Sequence, residues 1–234
     1  MRISFMAKPC WSYEGDSGPS NWASLDPDFK PCSEGQAQSP INITTYQEHT
    51  ASISLHYGVT ALRLFDNGFT IQIDCDAGAY VCYEGRRYNL QQFHFHHPAE
   101  HTIDNQRAAM ELHFVHADEA GQLLVIGVLL EIGEQAPPAY GQIFEHIPAA
   151  TDEPPQHPTA MLHLNELLPP APRFFSYSGS LTTPPCSEGV TWLLCDQSIT
   201  ITQEQVDIFT ARYPYNARPI QALNNRDVRL ITPR

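Results

Sequence analysis

The sequence predicts a single domain of mostly β structure (α+β), built on a large, mainly antiparallel central sheet with a few short peripheral helices. Of its 234 residues, 42% are hydrophobic, which is enough for a sizeable core and excludes a disordered acidic chain. Its 20 prolines are nearly twice the usual share and break long helices, which excludes a helical bundle. Most apolar segments alternate with a period of two, the pattern of half-buried strands.

These alternating segments predict strands along the whole chain. They are Ser52–His56, Ala61–Phe65, Thr70–Cys75, Ala79–Tyr83, Tyr88–His96, Ala108–His116, Leu123–Glu131, Gly189–Leu194 and Ile199–Ile201. The pair Ala77-Gly78 predicts a hairpin turn between the third and fourth segments. Helices are predicted over Thr202–Arg212, with Thr202 as N-cap, and over Pro158–Leu168. The proline-rich stretch Gly133–Pro158 is predicted to be a covering loop with one short helix.

Charge and hydropathy limit the partners and the location of the chain. The formal charge is −13, with 13 Lys and Arg against 26 Asp and Glu, and no basic block offsets it. This excludes nucleic acid and anionic membranes as partners. The longest apolar run, Leu123–Leu130, is too short to span a membrane. We expect residues 1–10 to be a tail, a recombinant or signal remnant, and residues 11–234 to form one catalytic domain.

The histidines cluster in a way that predicts a metal site. Five of the 11 histidines fall within residues 94–113. Alternation places His94 and His96 on one face of a strand, and two imidazoles in this arrangement can converge on one metal ion. The strand over residues 110–116 offers His113 as a third ligand. Gln92 and Glu111 lie on the same faces and suit hydrogen bonds to the distal nitrogens of the ligand imidazoles.

Two other interpretations of these histidines stay open at this point. The first is that each is an ordinary strand histidine with a local hydrogen bond. The second is a cupin metal motif, since His94, His96 and Glu100 match its first half. The second half of that motif is missing, because no Pro-x-Gly precedes His113 and Ala117 stands where the motif has asparagine.

Several segments together resemble a known family over residues 11–230. They are Trp11, Tyr13, Gly18-Pro19, Trp22, QSPINI (38–43), QFHFH (92–96), EH (100–101), ELHFVH (111–116), GSLTTPPC (179–186), VTW (190–192) and NARP (216–219). In this order they resemble the α-class carbonic anhydrases. The compact HFHHPAEH sequence is similar to that of bacterial members.

The resemblance implies a zinc enzyme that reversibly hydrates carbon dioxide to bicarbonate and a proton by attack of zinc-bound hydroxide. It implies His94, His96 and His113 as ligands of Zn²⁺, and Thr182 with Glu100 as the pair that orients the hydroxide. The substrate-pocket residues that it implies are Val115, Val125, Leu181, Thr183, Val190 and Trp192. It also implies inhibition by sulfonamides and anions.

One position departs from the family pattern. Fast family members carry a proton-shuttle histidine in an Asn-Gly-His segment, and this chain has Asn67-Gly68-Phe69. Because phenylalanine cannot carry a proton, we expect proton export to limit turnover. His97, or Tyr13 together with ordered water, are the remaining candidates for the role.

The cysteines bear on the cellular compartment. The resemblance implies a disulfide between Cys32 and Cys186, next to the loop that carries Thr182. Such a bond favours a periplasmic or secreted protein, although no export signal is visible in the chain.

The other cysteines leave their pairing open. Cys75 and Cys82 flank the predicted hairpin and are either a cross-strand pair or two apolar thiols. Cys10 is a candidate for an intermolecular bond in a homodimer, although free thiols at Cys10 and Cys195 are an equal alternative.

Two further function classes are compatible with the same motifs. One is an acatalytic family member that serves as a binding domain, although such members usually lack a ligand histidine. The other is a zinc hydrolase acting on esters, a reaction that the same hydroxide can perform.

Overall fold

A computed structural model describes residues 11–147 and 159–234. Its strands are β1 (Asn42–Ile43), β2 (Gln47–Ala51), β3 (Ile53–His56), β4 (Val59–Ala61), β5 (Arg63–Asp66), β6 (Ile71–Asp74), β7 (Tyr80–Tyr83), β8 (Arg86–His96), β9 (Thr102–Ile103), β10 (Met110–Ala117), β11 (Leu123–Ile132), β12 (Met161–His163), β13 (Phe174–Ser180), β14 (Glu188–Cys195), β15 (Ile199–Ile201) and β16 (Arg229–Pro233). The helices are α1 (Trp22–Leu25), α2 (Pro31–Glu34), α3 (Pro138–Phe144) and α4 (Gln203–Thr210), with 3₁₀ turns at Gly15–Ser17, Pro27–Phe29 and Leu164–Leu167.

A sheet of 12 strands organises these elements and confirms the predicted fold class. Its main order is β2, β16, β13, β14, β11, β10, β8, β6 and β5, while β7 pairs with β3 and β8, and β15 pairs with β11. Most pairs are antiparallel; the parallel pairs within this sheet join β11 to β14 and β15, and β16 to β2. The short strands form two small sheets, β1 with β9 and β4 with β12.

The two faces of the central strands have different roles. Phe93 and Phe95 of β8, and Leu112 and Phe114 of β10, are buried in the larger apolar core. Helices α3 and α4 contribute their buried side chains to the same core. Because side chains alternate along a strand, the histidines of β8 and β10 lie on the opposite face. The predicted division of these residues between the two faces is confirmed.

Helix α4 is present where the sequence predicts it. The hydroxyl of Thr202 accepts a hydrogen bond from the backbone N–H of Gln205 at 3.3 Å, and the Gln205 side chain accepts one from the Thr202 N–H at 3.0 Å. This reciprocal pair is a capping box, which satisfies two donors at the start of the helix. The cap therefore determines where the helix begins.

The helix predicted over Pro158–Leu168 is wrong. Within the described residues, this stretch forms strand β12 and the 3₁₀ turn Leu164–Leu167. Leu162 is buried and its backbone pairs with Thr60 of β4, so pairing with another strand outweighs the local helical pattern.

The predicted hairpin at Ala77-Gly78 is also absent. Strands β6 and β7 do not pair with each other, because both pair with β8 along the same edge. The N–H of Cys75 bonds to Gln91, whereas Cys82 is opposite Arg87. These β8 residues are separated by four positions, or about 13 Å. Cys75 and Cys82 are therefore not a cross-strand pair, and both are free thiols.

Strands β2, β13 and β16 were not among the predicted ones. Strand β13 lies between two neighbours, and six of its seven residues are buried, so its sequence lacks an alternating pattern. Strand β2 is an edge strand whose first four residues are exposed. Neither strand therefore has the period-two alternation of apolar and polar residues from which the other strands were predicted.

Three further predictions concern helix α3, the N-terminal tail and membrane-spanning segments. Helix α3 is the short helix predicted within Gly133–Pro158, and residues 148–158 lie outside the described residues. Cys10 and the rest of the tail also lie outside them. Among the described residues, no helix is long and apolar enough to cross a membrane.

Candidate metal centre

Strand register brings three histidines together on one face of the sheet. His94 of β8 lies directly opposite His113 of β10, and His96 is opposite Glu111. Each histidine offers one ring nitrogen, and these three nitrogens lie within 4.8 Å of one another. Imidazole nitrogen is a preferred ligand of zinc, and three such ligands leave the fourth tetrahedral position open.

Hydrogen bonds determine which nitrogen of each ring faces the centre. The partner atoms are His94 Nδ1 with Gln92 Oε1 at 2.8 Å, His96 Nδ1 with the Asn216 carbonyl at 2.7 Å, and His113 Nε2 with Glu111 Oε1 at 2.7 Å. Amide, carbonyl and carboxylate oxygens can only accept, so each of these nitrogens donates. In the neutral form of each ring, the opposite nitrogen keeps a lone pair for a metal ion.

Two orphaned polar atoms show that these residues fit a cation. His96 Nε2 and Glu100 Oε2 are buried, lack a hydrogen-bond partner and lie 3.6 Å apart. Unpaired acceptors in a buried site are costly unless a cation or a donor meets them. Burial lowers the pKa of His94 and His96, which keeps these two rings in the neutral form that metal binding requires. Burial also acts to lower the pKa of His113, but Glu111 outweighs burial and raises it.

Glu111 is the buried carboxylate beneath the centre. Its Oε2 accepts from the backbone N–H groups of Glu100 at 2.9 Å and His101 at 2.8 Å, and its Oε1 accepts from the rings of His101 and His113 at 2.7 Å. Burial alone raises the pKa of Glu111, but the two histidines outweigh burial and hold this pKa well below its usual range. Because these donors occupy both carboxylate oxygens, Glu111 supports the ligand histidines and is not itself a metal ligand.

A chain of buried hydrogen bonds continues from Glu111 through His101. His101 Nε2 is 2.6 Å from the Tyr177 hydroxyl, which is 2.8 Å from Ser39 Oγ. Ser39 Oγ accepts in turn from the Ser180 N–H at 3.1 Å. Because burial raises the pKa of Tyr177 well above its usual value, this hydroxyl keeps its proton and donates to His101. This series of hydrogen bonds thus joins Glu111, which supports His113, to the end of β13.

An apolar wall lies beside the three histidines. Val115, Val125 and Trp192 are aligned across β10, β11 and β14, two residues from His113 along β10. Val125 and Trp192 are buried in the smaller apolar cluster, against which Val115 packs. Val190 belongs to the same cluster, and Leu181 packs against it. The sheet therefore aligns Val115, Val125 and Trp192, and their predicted role in a substrate pocket stays a prediction.

The loop after β13 is held by the predicted disulfide. Cys32 and Cys186 are bonded, which confirms that prediction. The N–H of Cys186 donates to the Thr183 carbonyl at 2.8 Å, so the bonded cysteine is attached directly to the loop. Thr182 is buried, and Thr183 lines a cavity of about 170 Å³.

This cavity reaches the candidate metal centre. Its other lining residues are Trp11, Tyr13, Asn67, Phe69, Thr70, Gln72, Gln92, His94 and His96. The ring of Phe69 stacks on that of Trp11, with centroids 3.7 Å apart and planes within 4° of parallel. The position that the sequence marked as the missing shuttle therefore forms part of an aromatic wall of the cavity.

Asn216 is a supporting residue whose role the sequence did not reveal. Its side-chain N–H₂ donates to the carbonyls of Phe69 and Phe95, both at 3.0 Å, and its Oδ1 accepts from the His97 N–H at 2.6 Å. Its own carbonyl holds the His96 ring. The NARP segment was visible as a family motif, but these long-range contacts have no signal in the spacing.

Arg218 is a second supporting residue of the same kind. Its N–H donates to Glu100 Oε1 at 2.7 Å, and its guanidinium donates to Gln38 Oε1, the Ser39 carbonyl and the Cys32 carbonyl at 2.8–2.9 Å. Burial lowers the pKa of this guanidinium to about 10, so it stays charged at neutral pH. Arg218 thus joins the disulfide to Glu100.

Three imidazoles beside an apolar wall define a class of metal centre that suits activation of water next to a small apolar molecule. A family model described as eukaryotic-type carbonic anhydrase matches residues 17–232. The chain therefore belongs to this family, the α-class carbonic anhydrases, whose reaction is the hydration of carbon dioxide.

Similar proteins come from several bacteria. Carbonic anhydrases of Nostoc sp. and Pectobacterium carotovorum are 39% and 38% identical to the chain, covering 92% of it in both cases and 84% and 88% of the relatives. Among solved structures, the α-carbonic anhydrase of Thermovibrio ammonificans in complex with the inhibitor sulfanilamide has a TM-score of 0.90 and 37% identity. That match covers 94% of this chain and 98% of the other.

Proposed function

We propose that this carbonic anhydrase works with one zinc ion held by His94, His96 and His113. The observation that carries the proposal is the convergence of three ring nitrogens, each with its opposite nitrogen engaged as a donor. A zinc ion bound there supplies a hydroxide nucleophile near neutral pH, because it lowers the pKa of bound water to about 7.

Thr182 and Glu100 have the role of orienting the nucleophile. Glu100 Oε1 is occupied by the Arg218 N–H, whereas the buried Oε2 has a free acceptor position. Thr182 is buried in the loop next to Thr183, which lines the cavity, and we assign its hydroxyl as the donor to that oxygen. A hydroxyl that donates to a carboxylate must accept from its other neighbour, which fixes the direction of attack.

Carbon dioxide is held by the apolar wall. Val115, Val125 and Trp192 form a continuous apolar row, with Val190 in the same cluster and Leu181 packed against it. An apolar substrate gains from leaving water, and it needs no charged partner. The direct hydrogen bonds of Gln92 and Glu111 to the ligand rings keep the ligand set in one orientation.

Phe69 slows the export of the proton. Its ring lines the cavity in the shuttle position and has no group that exchanges a proton. Its stacking on Trp11 supports a packing role. Turnover then depends on buffer molecules that accept the proton from the cavity.

Zinc content and stopped-flow carbon dioxide hydration at a series of buffer concentrations test these proposals together. We expect one zinc per chain, a rate that rises with buffer, and a Phe69→His variant that is faster at low buffer. His94→Ala is the matched variant for the metal, and we expect it to lose zinc and hydration. A protein without zinc and without hydration would overturn the metal proposal. Wild-type turnover that is independent of buffer and unchanged by Phe69→His would overturn the shuttle proposal.

The disulfide and the relatives support a location outside the cytoplasm. A bond between Cys32 and Cys186 persists in the periplasm or outside the cell. Sulfonamides and small anions are the inhibitors that we propose for the site. Non-reducing gels of the wild type and Cys10→Ser test whether a covalent homodimer forms, and a dimer band that survives the substitution would exclude Cys10.

A further inference from the structure

The carboxylate of Asp66 is a buried charge that the proposed mechanism does not use. Its Oδ2 accepts from Arg212 Nε at 2.7 Å and Arg212 Nη2 at 2.6 Å. Its Oδ1 accepts from the Gly68 N–H at 2.8 Å and from the Tyr213 hydroxyl. The side chain of Asp66 is 2% exposed and that of Arg212 is 13% exposed. Four donors thus hold this carboxylate in a single position.

Arg212 and Tyr213 begin the segment 212–218, which touches the metal centre repeatedly. The Pro214 carbonyl lies 2.9 Å from His97 Nδ1, the Asn216 carbonyl holds the His96 ring, and the Arg218 N–H holds Glu100. All three contacts are made by the backbone of the segment, and two of them reach the site residues His96 and Glu100. Their geometry therefore depends on where the segment 212–218 lies.

Asp66 also contacts the loop that carries Phe69. Asp66 ends β5, and its carboxylate also binds the N–H of Gly68 in this loop. Asn216 Nδ2 donates to the Phe69 carbonyl at 3.0 Å, so loop and segment are joined a second time. Together these bonds close a ring of contacts around one side of the cavity.

We propose that Asp66, paired with Arg212 and Tyr213, is a positioning residue of the metal centre. It fixes the start of the segment 212–218, and this segment holds both the His96 ring and the Phe69 backbone. Two guanidinium N–H groups converge on Asp66 Oδ2 while Gly68 and Tyr213 hold Oδ1, and these four donors specify an orientation that a single charge does not. The inference rests on the proposed zinc site.

The test uses Asp66→Asn, which keeps the shape of the side chain but turns an N–H₂ group toward donors. The first measurement is the rate of zinc loss from the holoenzyme to excess chelator. We expect loss about tenfold faster than in the wild type, the lower end for groups that support metal ligands. The matched control is Asp76→Asn, which breaks a half-exposed pair with Arg63 at 2.8 Å outside the cavity lining. We expect its zinc loss to stay within about twofold of the wild type.

The second measurement is amide hydrogen exchange in the zinc-free protein. The N–H groups of Asn216 and Arg218, which bond to His97 and Glu100, should exchange faster in Asp66→Asn and not in Asp76→Asn. This measurement needs no metal, so it can show that the positioning role of Asp66 is wrong independently of whether the zinc proposal is wrong. A wild-type protein that takes up no zinc would overturn the proposed site.

Milder variants keep the inference testable if Asp66→Asn does not fold. Arg212→Lys keeps the charge but loses the two guanidinium donors that converge on Asp66 Oδ2, and Tyr213→Phe removes one donor to Oδ1. We expect both to release zinc faster than the wild type at denaturant concentrations well below unfolding. The inference is overturned if the folded variants lose stability while zinc loss and the two exchange rates stay at wild-type values, since the ion pair then serves the fold alone.

Discussion

His116 predicts a specific loss of stability in acid. It lies on the face of β10 opposite the candidate metal ligands, and Nδ1 donates to the Leu124 carbonyl at 3.2 Å. Nε2 therefore accepts from the Tyr57 hydroxyl at 2.6 Å, and both side chains are buried. Burial lowers the pKa of His116 from 6.5 to about 4. The folded protein thus requires the neutral ring.

The magnitude follows from this shift. Because the folded pKa lies below the unfolded one, the unfolded chain binds more protons between pH 4 and 6.5. The stability is therefore complete above about pH 6.5 and falls as the pH decreases toward 4. A shift from 6.5 to about 4 corresponds to roughly 3 kcal/mol in total, of which about 2.5 kcal/mol is lost by pH 4.5.

His116→Gln isolates this contribution, since the amide oxygen can still accept from Tyr57 but does not titrate. Denaturant unfolding at pH 7 and pH 4.5 gives the free energy of each protein. We expect the difference between variant and wild type to move by about 2.5 kcal/mol in favour of the variant at pH 4.5. His163→Gln, at an exposed position, is the control. An identical difference at both pH values would refute the reasoning.

Three more predictions concern the support of the site. Replacing Cys32 and Cys186 by serine should cost about 2–5 kcal/mol of unfolding free energy and lower turnover, measured by denaturation and hydration assays. Unchanged turnover would show that the disulfide does not position the loop that carries Thr182. Glu111→Gln places an amide against ring donors and should weaken zinc binding about 10- to 100-fold in equilibrium dialysis, and wild-type affinity would contradict this. At Gly127, a Cβ would lie 2.7 Å from Leu194 and 3.1 Å from Glu111, so Gly127→Ala should cost about 1–3 kcal/mol by denaturation; a stable variant would show that the neighbours can move.

The part of the site that depends on strand pleating was predictable from the sequence. Alternation fixes which side chains share a face, so the grouping of His94, His96 and His113, with Gln92 and Glu111 beside them, followed from their spacing. The resemblance to the family added the disulfide, which spacing alone does not pair.

The remaining support was not predictable, because it crosses long stretches of chain. Asn216 is 120 positions from the His96 ring that its carbonyl holds. No periodicity links two such residues, and their contact depends on the path of the loop after α4. The missed strand β13 has a related cause, since burial on both faces removes the alternation that marks a strand.

The buried chain from Ser180 to Glu111 has a fixed polarity. The Ser180 N–H donates to Ser39, and each further proton points the same way through Tyr177 and His101 to the carboxylate. Each hydroxyl has one proton, so none of them can reverse without leaving a neighbour unpaired. Substitutions within this chain will therefore be tolerated in complementary pairs more readily than singly, and engineering of the β13 loop has to treat these residues as one unit.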